Sequence, residues 1–154
     1  MADLYMMVGL PGSGKSTYAK EVMMNLIPSC AYVSRDEVRY EMIDDQKHYF
    51  DRESDVYREY CNRIEMHLLR GENVIADATH LNIGSRKKLM NTLKTKPDHY
   101  IAMVMQTPFE ICMERNSKRE GIIHVPEQTM YKMKHSYHVP KQTEGFSQIN
   151  FIKV

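Results

Sequence analysis

The chain has 154 residues, of which 42% are hydrophobic and 27% charged, with a formal net charge of +1. This length suits one domain, residues 1–154, able to bury about 68–70% of its unfolded surface in a single core. A charge so near balance excludes general basicity as a way of binding nucleic acid, which would need a local patch, and the pattern predicts neither a signal peptide nor a membrane span.

The first apolar run, Leu4 to Val8, predicts a strand and leads into Gly9-Leu-Pro-Gly-Ser-Gly-Lys-Ser16, an unbroken Gly-x-x-x-x-Gly-Lys-Ser sequence. A helix-compatible stretch follows as far as Leu26. This is the setting of a phosphate-binding P-loop. Its glycines let backbone N–H groups turn inward around the α- and β-phosphates, a lysine reaches the β/γ oxygens, and the serine hydroxyl can coordinate Mg²⁺. The helix that follows points its positive dipole end at the same anion. Gly12, Ser13, Gly14, Lys15, Ser16 and Thr17 are therefore the expected nucleotide cradle.

A second β-rich run at 30–33 ends in Ser34-Arg-Asp-Glu37, where Ser34 and Glu37 have capping-box spacing and predict a helix start. Asp36 would occupy the first turn, with Arg39 three residues later on the same face. Such a carboxylate could orient a hydroxyl acceptor while the guanidinium holds an adjacent phosphate. The same two residues also satisfy a surface ion pair near a helix N-terminus, worth about 0.3–1 kcal/mol. Across 52–70, Val56, Tyr57, Tyr60, Cys61, Ile64 and Leu68 recur at helical spacing, and Gly71 suits the position after the helix end.

The third run, 73–76, ends at Asp77. An acid there could hold Mg²⁺ or its water, or could cap a turn. Arg86, Lys87 and Lys88 form a short basic run that reads as a solvated face. After the fourth run, 99–105, Thr107-Pro-Phe-Glu110 supplies capping signals for a helix from Pro108. That helix would carry Arg115, Lys118 and Arg119 on one face. Like charges so spaced repel by about 0.2–0.5 kcal/mol a pair, which an anion would relieve. Residues 115–125 thus read as a lid hinged at Gly121, or as a cationic helix end favoured by the dipole. Another helix is expected from Pro126 and a last strand at 147–152.

Strands alternating with helices predict βαβ units, hence an α/β fold with a parallel sheet covered on both faces and its ligand site beyond the strands' carboxyl ends. The 13 methionines fall mostly in apolar periodic segments and read as core filler. The histidines suggest no metal cage. Cys30, Cys61 and Cys112 show neither disulfide nor zinc spacing, which suits a reducing cytoplasm.

Taken together, Gly9 to Thr17, Ser34-Arg-Asp36-Glu-Val-Arg39, Asp77-Ala-Thr-His-Leu-Asn82 and Arg115-Asn-Ser-Lys-Arg119 followed by Val125-Pro126 resemble the 5′-kinase domain of phage and bacterial polynucleotide kinases. The resemblance spans nearly the whole chain. It implies a P-loop kinase fold with a five-stranded parallel sheet and a small helical lid. It also implies transfer of the γ-phosphate of ATP, or another nucleoside triphosphate, with Mg²⁺, to the 5′-hydroxyl of DNA or RNA ends. In that picture Lys15 and Ser16 handle phosphate and metal, Asp36 orients the attacking hydroxyl, and Arg39 grips the acceptor's neighbouring phosphate. Arg119 would contact the donor phosphates, while Arg115 and Val125 bracket the donor base. His80 stands where many relatives have Asn. With no Asp-x-Asp phosphatase motif, the chain is expected to be a kinase alone, leaving room for separate phosphatase or ligase partners. A small-molecule P-loop kinase and a catalytically silent nucleotide-binding module are the competing readings, since fold does not decide substrate.

Overall fold

The computed structural model describes residues 2–48 and 50–153. Five strands, β1 (Asp3–Val8), β2 (Cys30–Ser34), β3 (Asn73–Asp77), β4 (His99–Met105) and β5 (Gln148–Ile152), form one sheet in the order β2-β3-β1-β4-β5. Every neighbouring pair is parallel. The strands lie within a residue or so of the apolar runs because a parallel strand is covered on both faces and so reads as continuous hydrophobic sequence.

One helix, α1, starts at Lys15–Tyr18, passes through a π-helical stretch, Ala19–Met23, and ends at Met24–Leu26. It is followed by α2 (Arg35–Met42), α3 (Glu53–Leu69), α4 (Ile83–Thr92), α5 (Phe109–Ser117) and α6 (Glu127–Ser136). Tyr60, Cys61, Ile64 and Leu68 of α3 pack on one face of the sheet, with Leu89 of α4 and Leu4, Met6 and Val8 of β1, and Val56 of the same helix is buried. Gly71 ends that helix at φ 74°, the left-handed conformation that its C′ position requires. Ala19 and Met23 of α1 cover the other face, against Met7, Ile75, Met103 and Met105. The methionines at 6, 7, 103 and 105 are core, as their alternation implies. A third cluster, Leu10, Leu81, Cys112, Val125 and Met130, lies beyond the sheet's carboxyl edge.

Arg86 is not part of a solvated basic face. It is 0% exposed, bonds both oxygens of Glu144 at 2.7 and 3.2 Å, and donates to the His80 carbonyl at 2.8 Å. Its partner lies 58 residues away, so no local pattern reveals it. Replacing one member of a buried pair strands the other charge. Arg86→Met is therefore expected to cost about 3–5 kcal/mol of unfolding free energy. The urea midpoint should fall at unchanged slope, and Arg86→Met/Glu144→Leu should recover much of the loss.

Candidate active site

The chain leaves β1 at the point where the strand order reverses, and the P-loop turns there, at the carboxyl edge of the sheet. Two bonds shape the loop: Gly9 N–H donates to the Thr79 carbonyl at 3.0 Å and, within the loop, Ser13 N–H donates to the Leu10 carbonyl at 3.1 Å. Two more come from the side, where Thr107 Oγ1 donates to the Ser13 carbonyl at 2.7 Å and Arg115 Nη1 donates to that of Gly12 at 3.1 Å. Thr107 thus braces the loop instead of capping α5, whose cap position is Pro108. Gly12 has φ 83°, and a Cβ on it would lie 2.6 Å from the Cys112 carbonyl oxygen. Only glycine lets α5 approach the loop so closely.

Lys15 is buried and its Nζ donates to the Leu10 carbonyl at 3.1 Å. Burial pulls its ammonium below the ordinary lysine value, against the carboxylates of Asp77 and Asp36, which favour the charge; Arg119 adds to the lowering. A small cavity of about 60 Å³ lies over the loop, lined by Lys15, Ser16, Thr17, Asp36 and Arg119 among others. Two cations against one carboxylate, on a cavity bordered by the first turn of a helix, suit an anion.

Ser16 Oγ donates to Asp77 Oδ2 at 2.7 Å, and Tyr32 Oη donates to the same oxygen. Asp77 is 3% exposed. Hydroxyl and carboxylate are hard oxygen donors beside the anion cavity. That donor set suits Mg²⁺, which takes one or two protein oxygens and fills its octahedron with water and substrate phosphate. Among the described residues no cluster of three or more His, Cys, Asp or Glu offers an all-protein cage.

Ser34 caps α2, its Oγ accepting from Glu37 N–H at 3.1 Å. The Glu37 side chain goes to Lys20 at 2.9 Å and does not close the capping box. Asp36 and Arg39 meet at 2.5 Å, but unequally: the arginine side chain is 7% exposed and the aspartate 49%. Arg39 also donates from Nε and Nη2 to the two oxygens of Glu53, at 2.8 and 3.1 Å. Arg35 donates to Glu53 at 2.8 Å and lies over the Tyr57 ring. A second cavity, about 140 Å³, is walled by Lys15, Arg35, Asp36, Arg39, Phe50 and Glu53 with Ala78, Thr79, Pro11 and Met133. Asp36 and Lys15 therefore line both cavities.

The lid segment departs from one uniform helical face. Helix α5 stops at Ser117 with Lys118 as its cap, and Arg119 N–H bonds back to the Asn116 carbonyl at 3.1 Å. This tight turn sends Lys118 outward to Glu114, at 3.4 Å, while Arg115 and Arg119 remain over the loop. Arg119 makes no ion pair among the described residues. With Gly12, Gly14, Thr17, Tyr18, Glu21 and Val22, the two arginines line a third cavity of about 380 Å³. Gly121 sits at φ 66° with open space where a Cβ would be. Val125 is not with them. It is 2% exposed and locked into the core cluster by Asn116, which donates to the Val125 carbonyl at 2.7 Å and accepts from its N–H at 3.0 Å.

His80 lies beneath the loop at φ 45°, with its Nδ1 2.6 Å from the Met7 carbonyl and its Nε2 3.3 Å from Tyr60 Oη. Burial lowers its pKa to about 4. The unfolded chain binds this proton from about pH 6.5 downward and the native chain only near pH 4, so this histidine makes stability fall as pH drops through that window, by about 1.4 kcal/mol per unit. Asparagine tolerates the left-handed backbone. His80→Asn is expected to flatten the pH dependence of the unfolding free energy between pH 6.5 and 4 relative to the parent.

The structure thus brings Gly12, Ser13, Gly14, Lys15, Ser16, Thr17, Asp36, Arg39, Asp77, Arg115 and Arg119 to one edge. Sequence reasoning missed Arg35, Glu53 and Tyr32. Tyr32 alone had a local signal: a polar-tipped residue two positions before Ser34 on a strand must share its face.

A family model described as an AAA domain matches residues 4–140. A protein of Autographa californica nuclear polyhedrosis virus, assigned as a bifunctional polynucleotide kinase/RNA ligase, is 25% identical over 143 residues, covering 84% of this chain and 20% of that protein. The solved structure of a Pnkp1/Rnl/Hen1 complex matches with a TM-score of 0.64 at 26% identity, over 74% of this chain and 38% of the other. A gluconokinase from Sinorhizobium meliloti 1021 matches with a TM-score of 0.62 at 14% identity, over 99% and 82%, a likeness of fold alone. The chain spans 20% of the length of the viral relative and 38% of that of the chain in the complex.

Proposed function

The chain belongs to the AAA-domain family of P-loop kinases, and on that premise we propose that it is a polynucleotide 5′-hydroxyl kinase, moving the γ-phosphate of ATP to the 5′-OH of DNA or RNA. One observation carries the reading: Asp36 is half-exposed in the wall between the loop cavity and the Arg35/Arg39 cavity. A carboxylate there faces a phosphate donor on one side and an acceptor on the other. The acceptor-side wall holds three cations, Lys15, Arg35 and Arg39, against two carboxylates, Asp36 and Glu53, leaving one positive charge for one phosphate. That balance favours an acceptor whose hydroxyl lies next to a phosphodiester.

In this mechanism Lys15 and the loop amides hold the β- and γ-phosphates, and Arg119 stabilises charge on the transferring group. Ser16 and Asp77 would hold Mg²⁺, which would supply positive charge against the triphosphate. Asp36 aligns the 5′-hydroxyl; its oxygen bonds the γ-phosphorus as the bond to the β–γ bridging oxygen breaks, and Asp36 accepts the hydroxyl proton late. Arg39, fixed by Glu53, faces the acceptor phosphate. Arg115 borders the donor nucleoside, whereas Val125 serves by anchoring the lid, residues 115–125, to the core. Residues 1–154 act as one kinase domain. Free cysteines suit a reducing, cytoplasmic setting, and no helix among the described residues is long and apolar enough to cross a membrane. Separate ligase or phosphatase partners would process the ends it makes.

A small-molecule kinase is the second reading, favoured by the fold shared with the gluconokinase. Labelled ATP offered with 5′-hydroxyl DNA and RNA oligonucleotides, beside sugars and nucleosides, separates the two. Label on a metabolite alone rejects the polynucleotide assignment, and ATP turnover on no acceptor rejects both.

A further inference from the structure

Tyr32 leaves the sheet on the same face as Asp77, since the pairing register sets Ser34 opposite Asp77 and Tyr32 lies two residues before Ser34. Its hydroxyl and that of Ser16 converge on one oxygen, Asp77 Oδ2. A carboxylate withdrawn from water needs donors on its oxygens, and these two hydroxyls are what the structure supplies. The phenol O–H of Tyr32 is the donor to that oxygen. The Lys20 ammonium covers the ring 5.1 Å from its centroid and is itself tied to Glu37, which keeps the ring in place.

The Ser16 hydroxyl has one proton and two lone pairs. When its proton points to Asp77, its lone pairs point elsewhere, toward the cavity over the loop. The orientation of Ser16 is therefore set by the position of one carboxylate oxygen, and Tyr32 fixes that oxygen. We propose that Tyr32 is a positioning residue for the Mg²⁺-nucleotide site, holding Asp77 so that Ser16 presents its lone pairs to the metal. The inference rests on the nucleotide-binding half of the proposed reaction and is independent of the acceptor.

Calorimetric titration of ADP with and without Mg²⁺, comparing the parent with Tyr32→Phe, tests it. The substitution removes one oxygen and keeps the ring's packing. Outer-shell partners of metal sites typically govern about 10- to 100-fold in metal affinity. The gain in ADP affinity on adding Mg²⁺ should shrink by about that factor in the variant, with metal-free ADP affinity unchanged. In an Asp77→Asn background, adding Tyr32→Phe should change little more, because both act through one group. Equal weakening with and without metal would mark a purely structural role and overturn the proposal. So would a variant that keeps the parent's full Mg²⁺ gain, or a parent whose ADP affinity ignores Mg²⁺. No acceptor is present in the titration, so a failure of oligonucleotide labelling leaves its outcome unaffected.

Discussion

Arg119→Ala is expected to slow single-turnover phosphate transfer by about 10³-fold or more, the loss seen when an arginine that stabilises the transferring phosphoryl group is removed. The size follows from where the guanidinium stands. It lines the loop cavity with Lys15, Ser16 and Asp36 and makes no ion pair among the described residues, so its charge is available to an anion bound there. Its charge also contributes to pulling the buried Lys15 ammonium down, a repulsion that a bound triphosphate would reverse. ADP affinity should drop far less than the rate if Arg119 acts mainly on charge that develops during transfer. Arg119→Lys should recover only part of the rate, because an ammonium lacks the planar fork that meets two oxygens at once. A single-turnover rate equal to the parent's would remove Arg119 from the reaction.

Asp36→Asn is expected to lower transfer by about 10²–10⁴-fold, the usual range for a positioned proton acceptor. An amide oxygen can still accept from Arg39, so the pairing that shapes the cavity wall survives while the negative charge and proton affinity are lost. ADP binding should change little. The diagnostic result is a loss in transfer to the acceptor with donor affinity intact; a variant as active as the parent would refute the role given to Asp36. Because Arg39 touches both Asp36 and Glu53, effects of changing Asp36 and Arg39 should fall short of additive.

The strands and the loop were legible because their signals are local: apolar runs for a sheet buried on both faces, and a Gly-x-x-x-x-Gly-Lys-Ser spacing set between a strand and a helix. Asp36 with Arg39, and Ser16 with Asp77, were legible as candidates because each follows a strand that ends at one edge. What stayed hidden depends on distance along the chain. Glu53 reaches Arg39 from 14 residues on, and Arg86 finds Glu144 across 58, so a basic run read as solvated contributes one residue to the core. Val125 was read by motif alone; the side chain of Asn116, which clamps it inward, has no signature in spacing.

Lys15 and Asp36 each form a wall of two adjoining spaces, with no serine, cysteine or histidine side chain among the residues that line both. In the proposed reaction Asp36 accepts the hydroxyl proton and Lys15 holds phosphate oxygens, which leaves neither to carry the phosphoryl group between donor and acceptor. Transfer through that shared wall would be a single displacement inside a ternary complex, and a chiral thiophosphate donor would come out with its configuration at phosphorus inverted.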